Sequence, residues 1–290
     1  VIDAQDYAEF SRFLADYCGL VLGENRQYLV ASRLSRLLGE FGYTKVEDLL
    51  RALRHSASPT LKSRVIDAMT TNETSWFRDS YPFEILRQIL LPELAARKRP
   101  IRIWSAACSS GQEPYSISMV AAEWEATVPT AKLTPVSIVA TDLSETVLAD
   151  ARAGVYDGLS IVRGLTPERR QKYFDTRPNG HQIKPDIQRR VRFQKLNLLD
   201  SYTVLGKFDI VFCRNVLIYF SADTKRRIFD GIARQMDPGS YLFIGASESA
   251  SSYTDAFEMV RTPLGSVLRR RGAAAASTPS PLSHKKTHLG

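Results

Sequence analysis

Long apolar runs are missing from this sequence: none approaches the roughly 18 residues that a membrane span needs, and no basic-then-apolar leader opens it. A cytoplasmic protein without direct membrane insertion is expected. Cysteine is scarce. Cys18, Cys108 and Cys213 are odd in number, far apart and without clustered histidines, which argues against a disulfide framework or a metal site. The G-x-G-x-x-G pattern of dinucleotide binders is absent. So is the interleaving of aromatic and basic residues that makes a stacking platform for single-stranded nucleic acid. Neither NAD nor a nucleic-acid partner is expected.

What is present is an ordinary globular composition. Hydrophobic residues make up 44% and charged residues 24% of 290 positions, enough for one large domain or two smaller ones with a sizeable core. The net charge of +8 suits an acidic partner, but protein, nucleic-acid and anionic membrane surfaces satisfy it equally.

Apolar residues recur at helical spacing through the first seventy positions, first at Tyr7, Phe10, Phe13, Leu14 and Tyr17, then at Val30, Leu34, Leu37, Leu38 and Phe41. Gly19 and Gly42 stop these helices, and Ser58-Pro59 reads as a cap followed by proline at the first helical position. After "TTNETSWFRDS" the pattern changes. A helix from Pro82 to about Ala96 precedes the strand candidates "IRIW", "VSIVATD", "VRFQKLN", "FDIVFCRN" and "YLFIGAS", with helical segments between them. Such alternation predicts an α/β fold with a doubly wound parallel sheet, whose ligand crevice lies at the carboxyl ends of the strands. "YFDTRPNGHQIK" carries an asparagine-glycine hairpin signal, so a small β insertion interrupts the alternation. The expected organisation is a helical N-terminal domain over 1–70, a linker over 71–80, a catalytic domain over 81–271 with the insertion at about 155–192, and a tail or linker over 272–290.

The strand ends carry the chemistry. "IRIWSAACSSGQEPYS", 101 to 116, leaves the first strand through residues almost without side chains, so a ligand can approach the main chain while the next helix points its amide end towards it. Asp142 ends the second strand; its two oxygens suit a pair of ribose hydroxyls, or it caps the helix that follows. Asn197 and Asn215 end the third and fourth strands, where an amide matches an adenine edge or an amino-acid backbone, or serves a turn.

"TTNETSWFRD", "WSAACSSGQEPYS", "ATDLSETVLADARAGVY" and "FDIVFCRNVLIYF" together resemble the chemoreceptor glutamate methyltransferases of CheR type, over about residues 5 to 270. The resemblance implies a class I S-adenosylmethionine-dependent methyltransferase, Rossmann-like, with an α-helical N-terminal domain and a small antiparallel β-subdomain. It implies no metal, S-adenosylhomocysteine as product, and the cytoplasmic signalling domain of chemoreceptors as partner, met by a monomer recruited to receptor arrays. By the same resemblance Asn72, Thr74, Arg78, Glu113, Asp142, Asn197, Leu198, Asn215 and Val216 contact the cofactor. Tyr219 stands beside the methyl-transfer site, and a basic residue of "RKR", 97 to 99, matches a family arginine there.

A glutamate is already ionised at neutral pH and a sulfonium methyl is already activated, so no general base is needed and the four histidines are expected to be non-catalytic. Arg78 suits the cofactor's methionyl carboxylate and Glu113 its ammonium; alternatively the two form a mutual or surface ion pair. The Tyr219 hydroxyl offers the substrate carboxylate one neutral donor, or its ring merely packs. Arg26, Arg33 and Arg36 fall within roughly 80° of one helix's arc, a basic edge for an acidic receptor that Arg51 or Arg54 extends, or simply a solvated face. "DTRPNGHQIK" lacks the longer glycine-containing loop of family members that tether to a receptor pentapeptide, so action without tethering is expected. A second possibility keeps the cofactor and methylates a nitrogen of another protein or RNA, because "NVLIY" loosely resembles an Asn-Pro-Pro-Tyr loop without its prolines.

Overall fold

A computed structural model describes residues 2–55, 58–128, 131 and 133–272. From 273 onward the expected tail lies outside the described residues. Four helices, α1 (Ala4–Cys18), α2 (Gln27–Phe41), α3 (Val46–His55) and α4 (Pro59–Met69), enclose a core of their own. Asp3 caps α1 by accepting from the Asp6 amide at 2.7 Å, and Ser58 caps α4 through the Leu61 amide at 3.1 Å. Gly19 and Gly42 end α1 and α2 at φ 77° and 73°, the left-handed turn that a side chain disfavours.

The expected helix at 82–96 is interrupted. α5 (Tyr81–Ile85) and α6 (Leu91–Ala95) flank a π-helical turn, Leu86–Leu90. Pro92 has no N–H to give to the carbonyl four residues back, so the ladder widens ahead of it instead of running straight.

Beyond α6 the chain alternates. β1 (Ile101–Ala106), α7 (Gln112–Thr127), β2 (Val136–Asp142) and α8 (Glu145–Ala153) come first. A small antiparallel sheet with short helices follows: β3 (Val155–Tyr156), α9 (Gly158–Val162), α10 (Pro167–Tyr173), β4 (Phe174–Arg177), β5 (Gly180–Ile183) and α11 (Pro185–Gln188). β6 (Val191–Lys195), β7 (Phe208–Cys213), α12 (Ala222–Arg234), β8 (Met236–Ile244), β9 (Phe257–Thr262) and β10 (Gly265–Arg270) complete the large sheet.

The large sheet has the order β6-β2-β1-β7-β8-β10-β9. The first five strands are mutually parallel, and β10 runs antiparallel to both β8 and β9. The β9-β10 hairpin is an addition to the expected parallel sheet and makes it mixed. The order reverses between β1 and β7, which puts the crevice at their carboxyl ends. In the small sheet Arg177 pairs with Gly180, so the connection is Pro178-Asn179, one residue earlier than the Asn-Gly signal suggests.

The helical domain is tied to this crevice. Leu20 bridges Phe220, the Val21 amide donates to the Tyr219 carbonyl at 2.9 Å, and the Asn197 amide donates to the Tyr17 carbonyl at 2.6 Å.

Candidate active site

One cleft at the switch point is lined by Asn72, Thr74, Arg78, Glu113, Asp142, Asn197, Leu198, Asn215, Val216 and Tyr219. The ends of β1, β2, β6 and β7 and the segment after α4 contribute to it.

The loop from β1 to α7 forms the floor. Ala107 and Ser109 take φ of 58° and 51°, left-handed values that small residues reach at least strain. The Ser109 amide donates to Asp142 Oδ2 at 2.8 Å, and its hydroxyl donates to the Asn72 carbonyl at 2.8 Å, so three separate segments meet there. Asp142 Oδ1 accepts from the Ser144 amide at 3.0 Å. The cap of α8 is Ser144, whose hydroxyl accepts from Val147, so Asp142 is not the helix cap. Burial pushes the Asp142 carboxyl up, against the backbone amides of Ser144, Ser109 and Leu143 that favour its charge. Each oxygen has taken one backbone donor and keeps acceptor capacity for another.

Glu113, in the first turn of α7, accepts from Ser105 Oγ at 2.8 Å and from Arg214 Nη1 at 3.0 Å. Its partner is therefore neither Arg78 nor a surface cation. Burial raises its carboxyl and the Arg214 charge opposes that rise. Arg214 escaped the sequence reading. Its side chain is 1% exposed, and Nη2 donates to Asp79 Oδ2 and to the Arg78 carbonyl, both at 2.7 Å, while Nε has no partner among the described residues. The available signal was an arginine directly after a wholly buried strand, since a charge there must be paired. Among the described residues Arg78 itself makes one long hydrogen bond, Nη1 to the Glu73 carbonyl at 3.4 Å. Most of its donors are thus uncommitted.

The two asparagines divide. Asn197 donates to Tyr17 and accepts from the Leu199 amide at 3.0 Å, so it serves the turn and the interdomain tie. Asn215 has φ 59°, and its side-chain amide has no hydrogen-bond partner among the described residues. That amide lies against Gly245, where a Cβ would come within 2.7 Å of Asn215 Nδ2. Tyr219 ends a 3₁₀ turn, Leu217–Tyr219, at the cleft, and its hydroxyl is likewise without a partner among the described residues.

Other candidates lie elsewhere. The arginines of "RKR" are a correction: Arg99 Nη2 meets Asp209 at 2.5 Å and Arg97 Nη1 approaches it at 3.9 Å, at the amino end of β7, opposite the cleft. The expected basic edge is only partly free. Arg33 turns inward and donates to the Met69 carbonyl at 2.5 Å and to Thr71 Oγ1 at 3.2 Å, whereas Arg26 and Arg36 are exposed. Arg51 pairs with Asp48 at 3.3 Å and Arg54 with Asp6 at 3.0 Å. Among the described residues no three His, Cys, Asp or Glu side chains are grouped to hold a metal, and no helix is long and apolar enough to cross a membrane.

Comparison with known proteins agrees with this architecture. The family described as "CheR methyltransferase, all-alpha domain" matches residues 5–70, and "CheR methyltransferase, SAM binding domain" matches residues 72–265. The chain is 52% identical over 269 residues to a "Chemotaxis protein methyltransferase" of Vibrio parahaemolyticus, covering 92% of this chain and 98% of that one. It is 52% identical over 269 residues to "Chemotaxis protein methyltransferase 1" of Pseudomonas aeruginosa, with the same coverage. A "Chemotaxis protein methyltransferase Cher2" of Pseudomonas putida is 49% identical over 270 residues, covering 92% of this chain and 98% of its own. With both domains matched in order around a switch-point cleft, the chain belongs to the CheR methyltransferase family, whose cofactor is S-adenosylmethionine.

Proposed function

We propose that this protein methylates glutamate side-chain carboxylates on the cytoplasmic signalling domains of chemoreceptors, leaving glutamate methyl esters and S-adenosylhomocysteine. One observation carries the proposal: the cleft combines the buried Asp142 carboxylate, the largely buried Glu113 carboxylate, and Arg78 donors and a Tyr219 phenol that are uncommitted among the described residues, with no histidine among its lining residues.

These residues fit the cofactor. Asp142 keeps acceptor capacity for the ribose hydroxyls, Glu113 offers a carboxylate to the methionyl ammonium, and Arg78 offers a planar fork to the methionyl carboxylate. Asn72, Thr74, Leu198, Asn215 and Val216 line the remainder, with the free Asn215 amide as a donor and acceptor. Asn197 acts mainly through the turn that places Leu198. Bound S-adenosylmethionine supplies a methyl group already activated on sulfur.

The protein's task is then orientation, which can supply roughly 7 to 11 kcal/mol when reacting atoms are held near contact. The substrate glutamate arrives ionised, so no base is required. A bidentate arginine on that carboxylate would blunt it as a nucleophile, whereas one neutral hydroxyl stabilises it without quenching it. Tyr219 is assigned that role. Arg26 and Arg36, exposed on and just before α2, are assigned to the acidic receptor surface. The two-residue turn at Pro178-Asn179 leaves no extended loop in the hairpin, which supports action without pentapeptide tethering.

Calorimetric binding of S-adenosylhomocysteine tests the cleft, and release of labelled methyl groups as methanol in alkali tests the ester. An alkali-stable product would replace the carboxylate substrate with a nitrogen. Tight binding of a receptor pentapeptide would reverse the proposal on tethering.

A further inference from the structure

We propose that Glu248 is a positioning residue for methyl transfer, fixing the main chain that carries Asn215 and Tyr219; its catalytic consequence rests on the cofactor and substrate roles proposed above. Glu248 follows β8 in the segment "GASES". Four backbone amides converge on its carboxylate. Oε2 accepts from Gly245 at 2.6 Å and Asn215 at 3.0 Å, and Oε1 accepts from Leu217 at 2.7 Å and Ile218 at 3.3 Å. A carboxylate has about four lone-pair sites, so these bonds saturate it. Among the described residues it has no cationic partner. It is therefore not free to act as a base or to hold a ligand.

What the carboxylate organises is the loop after β7. Asn215 has φ 59°, a left-handed conformation that a non-glycine residue keeps when its amide is captured. Two and three residues on, the Leu217 and Ile218 amides are orphan donors at the start of the 3₁₀ turn ending in Tyr219, and one oxygen collects both. Gly245 permits this approach. A Cβ there would stand 2.7 Å from both Glu248 Oε2 and Asn215 Nδ2.

Glu248→Gln is the discriminating variant. Its amide nitrogen would face two N–H donors, so one pair of bonds is lost whichever way the side chain lies. Hydrogen exchange of the cofactor-free protein should rise about tenfold or more in residues 214–219, and at Gly245 where its bond is the one lost, with protection outside these sites unchanged. Turnover on a receptor signalling-domain fragment at saturating cofactor should fall at least about tenfold. The double variant Glu248→Gln/Tyr219→Phe should be no slower than the more damaged single variant, because the two changes remove one function. Glu248→Asp, which keeps the charge, should recover part of the protection and of kcat, and it replaces the glutamine variant in every arm should that variant fail to fold.

Wild-type protection in 214–219, an unchanged kcat, or additive losses in the double variant would each overturn the proposal. If the wild-type protein binds no S-adenosylhomocysteine, the cofactor assignment fails, and the exchange data still decide whether Glu248 holds the loop.

Discussion

Arg214 and Glu113 meet at 3.0 Å on the cleft floor, with side chains only 1% and 13% exposed, and the same guanidinium holds Asp79 and the Arg78 carbonyl. One cation thus sets the rotamer of an acid assigned to the cofactor and the backbone of an arginine assigned to it. Arg214→Met would leave the Glu113 carboxylate buried without its counter-charge, a loss of about 3–5 kcal/mol. Chemical denaturation should show a midpoint lowered to match, and Arg214→Lys should recover part of the loss by restoring charge without the fork.

Burial raises the Glu113 carboxyl above its ordinary 4.5. A positive ammonium beside it favours the ionised form, so binding in acid must displace a proton. Affinity for S-adenosylhomocysteine should therefore hold above the raised pKa and weaken as pH falls through it, by at most about tenfold per unit. Glu113→Gln should bind more weakly near neutrality and lose that slope. Isothermal titration from neutral to mildly acidic pH measures both.

Asp142→Asn turns one acceptor oxygen into a donor facing either the Ser109 or the Ser144 amide. A ribose contact and a backbone bond are lost together, at about 1.5–3 kcal/mol for a hydrogen bond to a charged group. S-adenosylhomocysteine should bind about 10- to 100-fold more weakly, with the methionine half of the cleft intact. Free methionine competition, unchanged in the variant, checks that the damage is local.

Arg33 and Arg36 should separate in mutagenesis. Arg36→Glu is expected to lower kcat/KM for a receptor fragment severalfold at low salt and much less at high salt, with cofactor affinity unchanged. Arg33→Ala removes donors from the Met69 carbonyl and Thr71 and should lower thermal stability by about 1–3 kcal/mol. Salt-dependent kinetics and melting curves distinguish docking from buttressing.

Much of this architecture was legible in the chain because the dominant signals are local. Helix stops at Gly19 and Gly42, the Ser58 cap and the apolar strands each declare themselves within a few residues. β9 and β10 went unread: their polar, half-exposed alternation, with Glu258 facing Arg269, lacks the continuous apolar run of a central strand. The π turn at 86–90 was hidden because a proline announces a perturbed ladder but not which kind.

At the site, residue types at strand ends were readable, and their partners were not. Arg214, Ser109 and Glu248 act through contacts spanning 101, 33 and up to 33 residues of sequence, which no local pattern encodes. The "RKR" arginines fail for the mirror reason. They precede β1, and a segment entering a parallel strand stands at the amino end of the sheet, away from the crevice.

The joint between Leu20-Val21 and Tyr219-Phe220 means that the helical module is no detachable adaptor. Grafting it from a relative to redirect receptor choice would also import a new lip for the reaction chamber. Chimeras should therefore be cut so that residues 17–22 stay with the sheet they touch, and only the outer surface of α2 is exchanged.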